Sequence, residues 1–134
     1  MSAYCTRADI EAMFGVDNVS KWADLDNDAD VDKILARITV MIGYASDEID
    51  DRLRDGRYVI PFGTAPTTIK RCAVGIAGTM LYDARGIIEE AEENSIDKHR
   101  TLAEKTLNEI VAGKIRLSAA LIDTQNEVPR VIKG

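Results

Sequence analysis

The chain has 134 residues, of which 46% are hydrophobic and 30% charged, and its formal net charge is −6. This size and composition are typical of a single domain with its own core, and the acidic balance argues against a protein that coats nucleic acid with a basic surface. The N-terminus lacks a signal-peptide pattern and no apolar run approaches the roughly 20 residues of a membrane span, so we expect a cytoplasm-like compartment and no membrane partner.

The first predicted elements are two short helical segments. Thr6 can cap the amide of Asp9 while Asp9 reaches back to the amide of Thr6, which is the pattern of a capping box. Gly15 is predicted to end this first helix. A second short turn is predicted around residues 18–23, and Trp22 within it is expected to fill the core rather than to bind a ligand.

Five aspartates alternate with other residues along positions 24–32. Alternating carboxylates can converge on a hard cation, as they do in calcium-binding loops. The candidate metal ligands are Asp24, Asp26, Asp28 and Asp30. The pattern departs from a calcium loop, because Ala29 stands where the turn needs glycine and Leu35 where the bidentate glutamate belongs. In the other interpretation, the acids complement the N-terminal dipole of the following helix.

A long amphipathic helix is the clearest pattern in the chain. Its apolar residues recur at three- and four-residue steps from Val31 to Leu53, and Gly56 is predicted to end it. Residues 57–66 are predicted to form an extended, proline-bounded turn, because a residue that precedes proline is pushed out of helical geometry. The alternating side chains expected to pack on the helices are Tyr58, Ile60 and Phe62.

The next predicted helix, residues 66–84, is apolar over more than one face, so we expect it at the centre of the fold. Gly75 and Gly78 each cost about 1 kcal/mol relative to alanine inside a helix, and close approach of another backbone would compensate for this, within the fold or across a subunit contact. Asn94 or Ser95 is predicted to cap the last helix, which closes at Gly113.

Beyond Gly113, apolar and polar residues alternate, which predicts a strand that needs a partner edge. We therefore divide the chain into a helical domain, residues 1–113, and a C-terminal arm, residues 114–134, that docks on a neighbouring subunit. The predicted fold is mainly α: a small bundle of about four helices with the proline-bounded turn and a strand-like arm. The candidate contacts with another subunit are Gly75, Gly78, Ile115, Leu117 and Leu121.

No catalytic constellation is evident in the sequence. Cys72 and His99 are the only nucleophile–base option, and Cys72 lies on the apolar face of the predicted central helix. Two cysteines without C-x-x-C spacing do not suggest a disulfide framework. We therefore expect no enzymatic activity and no cofactor, apart from Ca²⁺ at the acidic loop if that loop binds a cation.

Several ordered segments resemble the Mu-type phage neck family, the head–tail connector proteins of tailed bacteriophages and prophages. The matching segments are YCTRADI at 4–10, DLDND at 24–28, EID at 48–50, GRYVIP at 56–61, and Pro66 opening a helix that ends at Leu81-Tyr82. The resemblance covers roughly residues 3–113.

This resemblance implies a mostly helical protein of the virion neck, assembled in the host bacterial cytoplasm. It implies a homo-oligomeric ring, twelve-fold in the family, that contacts the portal and tail-completion proteins and carries DNA through its centre without binding it specifically. The alternative function is a small divalent-cation-binding module built on the loop from Asp24 to Asp32. That alternative predicts a melting temperature that rises with calcium and falls back with a chelator.

Overall fold

The computed structural model describes residues 3–86 and 90–121, with no side-chain description for residues 90–94. Within these ranges the regular structure is entirely α-helical, apart from one isolated β-bridge. The five helices, in chain order, are α1 (Arg7–Phe14), α2 (Val16–Ala23), α3 (Val31–Leu53), α4 (Thr67–Arg85) and α5 (Glu90–Val111). The mainly α prediction is confirmed, and the predicted turn around residues 18–23 is a full helix. No helix in the described part of the chain is long and apolar enough to cross a membrane.

Local capping signals set the starts of α1 and α3. The Thr6 hydroxyl accepts a hydrogen bond from the Asp9 amide at 3.2 Å, and the Asp9 carboxylate accepts one from the Thr6 amide at 2.9 Å. Asp30 caps α3 by accepting bonds from the amides of Asp32 and Lys33. Both caps satisfy backbone donors that have no partner inside the helix.

Helix α4 lies at the centre and packs against each of the other four helices. Eleven of its residues are buried, from Ile69 to Tyr82. Around it, Trp22 of α2 makes edge-to-face contacts with Phe14 and Tyr82, at centroid distances of 5.6 Å and 5.2 Å. The predictions of a central α4 and of Trp22 as a core residue are both confirmed.

Two predicted helix caps are wrong, although the bounds of α3 match the predicted run from Val31 to Leu53. Helix α3 ends at Leu53, and Asp55 rather than Gly56 takes the left-handed conformation, with φ = 65°. Aspartate tolerates this region because its short side chain can bond locally. Helix α5 begins at Glu90, ahead of the predicted cap at Asn94 or Ser95.

The proline-bounded turn is fastened to the N-terminal segment by Tyr4. The Tyr4 hydroxyl donates to Asp50 Oδ1 at 2.5 Å and accepts from the Phe62 amide at 2.9 Å. The rings of Tyr4 and Phe62 pack edge to face at 5.5 Å, and Tyr58 and Phe62 are buried, as predicted. Burial, assisted by the bond to Asp50, raises the pKa of Tyr4, so the phenol stays protonated and keeps donating. The Ile60–Pro61 peptide within this turn is cis.

The predicted C-terminal strand does not form. The amides of Lys114 and Ile115 bond back to the Glu109 carbonyl, and the amide of Leu117 donates to the Tyr58 hydroxyl, so the donors that a ladder would use are taken. One antiparallel bridge, Tyr58 to Leu121, remains. Residues 114–121 therefore lie against their own bundle, and the rest of the predicted arm, residues 122–134, lies outside the described residues.

Candidate assembly surfaces

Three of the four candidate metal ligands, Asp24, Asp28 and Asp30, accept hydrogen bonds from backbone amides of the loop or of the first turn of α3. Asp24 accepts from the amides of Asp28 and Ala29, at 3.2 Å and 3.1 Å. Asp28 accepts from the amide of Asp30 at 3.1 Å, and Asp30 caps α3. These are the local bonds by which aspartate stabilises turns and helix starts.

A lysine supplies the positive charge of this loop. Lys33 Nζ lies 2.7 Å from Asp28 and 3.6 Å from Asp26. Its hydrogen bond holds the pKa of Asp28 below the ordinary value, and Asp28 in turn raises the pKa of Lys33. In the part of the chain that the structure describes, no group of three or more acidic, His or Cys side chains could hold a metal ion. These contacts are those of a self-bonded, helix-capping loop, and the metal site at Asp24, Asp26, Asp28 and Asp30 stays a prediction.

The acidic loop is also tied to the end of the central helix. Arg85, in the last turn of α4, donates to the Asp24 carbonyl at 2.6 Å and to the side-chain oxygen of Asn27. Asn27 and Ala29 both have positive φ, at 55° and 56°. The loop is thus held by side chains on both sides and carries backbone strain at Ala29, a residue that rarely adopts this conformation.

Replacing Ala29 with glycine should stabilise the protein by about 1 kcal/mol, because glycine adopts positive φ without steric cost. The same substitution at Ala36, exposed within α3, should instead destabilise it by about 1 kcal/mol. Denaturant unfolding of the two variants measures both effects. Equal destabilisation by the two changes would show that Ala29 is not strained.

Gly75 and Gly78 lie in close contact with other helices of the same chain. A Cβ added at Gly75 would lie 2.9 Å from the His99 carbonyl oxygen on α5, and one at Gly78 would lie 2.0 Å from the ring of Phe14 on α1. Both glycines are buried by these neighbours. They let α1 and α5 pack closely on α4, which is the close approach within the fold that the sequence allowed, and their contact with another subunit stays a prediction.

The other three predicted contacts lie where the arm begins. Ile115 and Leu117 are partly buried and pack against the core of their own chain, whereas the side chain of Leu121 is 58% exposed. Val59 lies beside Leu121, donates its amide to the Ala120 carbonyl at 2.9 Å, and is 46% exposed. The chain therefore leaves the described structure at an exposed apolar edge.

Replacing Tyr58 with phenylalanine should loosen the start of the arm, because the Leu117 amide loses its 2.7 Å bond to the phenol. We expect a loss of about 1 kcal/mol in the free energy of unfolding, the usual value of one such bond. Hydrogen exchange at the Leu117 amide should accelerate by more than the global loss of stability accounts for. Exchange in the middle of α4 should accelerate only by the amount that the global loss accounts for. Unchanged exchange at Leu117 would contradict this role for Tyr58.

An apolar groove between α1, α4 and α5 is a feature that the sequence pattern did not reveal. It has a volume of about 180 Å³, and Cys72, Gly75 and Ala103 are among its lining residues. Met13 and Leu102 also line it and are 39% and 63% exposed, although both lie on the apolar stripes of their helices. A position on the apolar stripe of a helix does not show whether the residue lies in the core or at the edge of a groove.

The groove does not resemble a nucleophilic site, although Cys72 and His99 both line it. Burial raises the pKa of the Cys72 thiol to about 11, and its Sγ lies 3.8 Å from the Ala103 carbonyl oxygen. The His99 ring packs edge to face on Phe14 at 4.8 Å. A protonated, buried thiol is a poor nucleophile, so these residues are better explained by packing.

The described residues define a small all-α protein whose distinctive surfaces are an apolar groove and an exposed apolar edge at Val59 and Leu121. The family model described as Bacteriophage Mu, Gp36 matches residues 4–132. The chain therefore belongs to the bacteriophage Mu Gp36 family, which indicates a phage structural or assembly protein. No curated protein matches it.

Proposed function

We propose that the protein is a head–tail connector of a tailed bacteriophage or prophage, a structural protein that acts by assembly and not by catalysis. In this role it forms a ring between the portal and the tail, passes DNA through the ring and docks the tail. The observation that carries the proposal is the family match over residues 4–132, which includes both the helical bundle and nearly all of the arm.

The electrostatics of the chain suit a channel through which DNA moves. The formal net charge is −6 overall, whereas residues 114–134 carry four basic and two acidic residues. A net acidic body repels the DNA phosphates and so limits non-specific binding in the lumen. The slightly basic arm is the part of the chain better suited to contact the acidic body of a neighbour.

The surfaces of the bundle suit a ring. A cyclic ring needs two different, complementary surfaces on each subunit, so that each copy contacts the next by the same heterologous interface. The groove between α1, α4 and α5 and the exposed apolar edge at Val59 and Leu121 are two different surfaces that could serve as such a pair. We propose that these surfaces join the subunits at the virion neck, with assembly taking place in the host bacterial cytoplasm.

The proposal is tested by deleting the gene from a phage or prophage that carries it and examining the particles by electron microscopy. We expect DNA-filled heads and separate tails, with joined particles restored when the full-length protein is supplied from a plasmid. Reconstruction of the complemented particles should then show a ring of this chain between the portal and the tail. Joined virions in the deletion strain, or a defect confined to building the head, would overturn the connector role.

A further inference from the structure

We propose that the groove between α1, α4 and α5 receives the C-terminal segment, residues 122–134, of a second copy of this chain. The inference rests on the proposed ring function and names the two surfaces that would join its subunits. It is carried by the shape and exposure of the groove, by the length and composition of the segment beyond Leu121, and by the place where the described chain ends.

The groove is built to hold an aliphatic side chain. A cavity of about 150 Å³ lined by apolar side chains accommodates benzene, and this groove has a volume of about 180 Å³. Its lining includes the small residues Gly75 and Ala103, and Met13 and Leu102 at its edge are 39% and 63% exposed. Covering exposed apolar surface of this kind is favourable, so the groove gains stability from an apolar occupant.

The C-terminal segment has the composition and length to be that occupant. It contains Val128, Val131 and Ile132 within five residues, with Pro129 between the first two. Proline favours an extended preceding residue, which suits a chain laid along a groove. Thirteen residues extend at most about 43–47 Å, which is longer than a whole helix such as α4, at about 28 Å.

The need for a repeated contact favours a second copy as the donor of the segment. Leu121, the last residue that the structure describes, forms an exposed apolar edge with Val59. The groove and the segment are different surfaces of one chain, and pairing them between copies generates the repeated heterologous contact that a ring requires. If the segment filled the groove of its own chain, the groove would be covered, but these two surfaces would not join one subunit to the next.

The test is photo-crosslinking of the full-length protein. Benzoyl-phenylalanine is incorporated at Leu102, which is 63% exposed and should tolerate the change, and in a second variant at Met13. The matched control carries it at Tyr44, which is 56% exposed on α3 and outside the groove. Each variant is mixed with ¹⁵N-labelled protein across a concentration series and irradiated, and mass spectrometry identifies the crosslinked peptides and their isotope content.

We expect crosslinks from positions 102 and 13 to peptides within residues 122–134 that carry ¹⁵N, and none to this segment from position 44. Introducing Val131→Asp and Ile132→Asp into the labelled copy should reduce the yield by at least about tenfold, since each buried aliphatic side chain contributes about 1.5–3 kcal/mol. Crosslinks to the segment of the same copy only, or none to residues 122–134 at any concentration, would overturn the inference. The connector role would stand in either case, because its test is the joining of heads to tails.

Discussion

Replacing Tyr4 with phenylalanine is expected to lower the free energy of unfolding by about 2–4 kcal/mol. The variant keeps the ring that packs on Phe62 but loses the hydroxyl that links the Asp50 carboxylate to the Phe62 amide. A hydrogen bond to a charged group is lost, and a buried amide is left without its acceptor. Urea unfolding followed by circular dichroism measures the change.

The loss should also depend on pH in a defined direction. Burial holds the pKa of Asp50 above its ordinary value, and the bond from Tyr4 partly opposes that rise. Without the hydroxyl, the pKa of Asp50 rises further, so the native state of the variant gains more than wild type when the carboxyl is protonated. The difference in stability between the two proteins should therefore shrink as the pH falls through the folded pKa of Asp50.

Tyr44→Phe is the matched control for Tyr4→Phe, since the Tyr44 side chain is largely exposed on α3. Its effect should stay within about 0.5 kcal/mol, as for most surface substitutions. A Tyr4→Phe effect no larger than this control would show that the bridge from the N-terminal segment to the turn contributes little.

Replacing Gly78 with alanine is expected to destabilise the protein by about 1–3 kcal/mol, although alanine is the better helix former. The new Cβ would lie 2.0 Å from the ring of Phe14, which must then move away from Trp22 and His99. Thermal unfolding and near-ultraviolet circular dichroism report the stability and the packing of these rings.

A double-mutant cycle identifies the clash as the cause. In a Phe14→Leu background the smaller side chain leaves room, so Gly78→Ala should cost less than in wild type, with a coupling of about 1 kcal/mol or more. Gly63→Ala is the control, because a Cβ at Gly63 meets no atom within 4 Å. Additive effects of the Phe14 and Gly78 substitutions would contradict the proposed packing.

The features that the sequence predicts correctly are those that local physics determines. The capping box at Thr6 and Asp9 depends on two residues that lie three positions apart in the sequence. The amphipathic pattern of α3 depends on apolar residues that recur every three or four positions. The central position of α4 follows from its composition, because a helix that is apolar nearly all round must be covered. Fold class and core position were therefore accessible from the sequence.

The features that were missed depend on contacts distant in sequence. Gly78 signals close packing, but only the fold shows that the ring of Phe14 in the same chain lies against it. The aspartate spacing is compatible with a cation loop, and only the fold shows Lys33 lying among the carboxylates. Leu102 follows the apolar period of α5, yet its side chain lies at the groove and is 63% exposed.

The burial of both cysteines bears on the proposed place of this chain in a particle that leaves the cell. Burial raises the pKa of Cys5 to about 12 and that of Cys72 to about 11, so neither forms the thiolate that oxidants attack. The cytoplasm keeps thiols reduced, whereas the medium beyond a lysed cell does not. In a neck ring of this chain, the buried thiols would not form disulfides between subunits when the particle passes from the reducing cytoplasm to the oxidising medium.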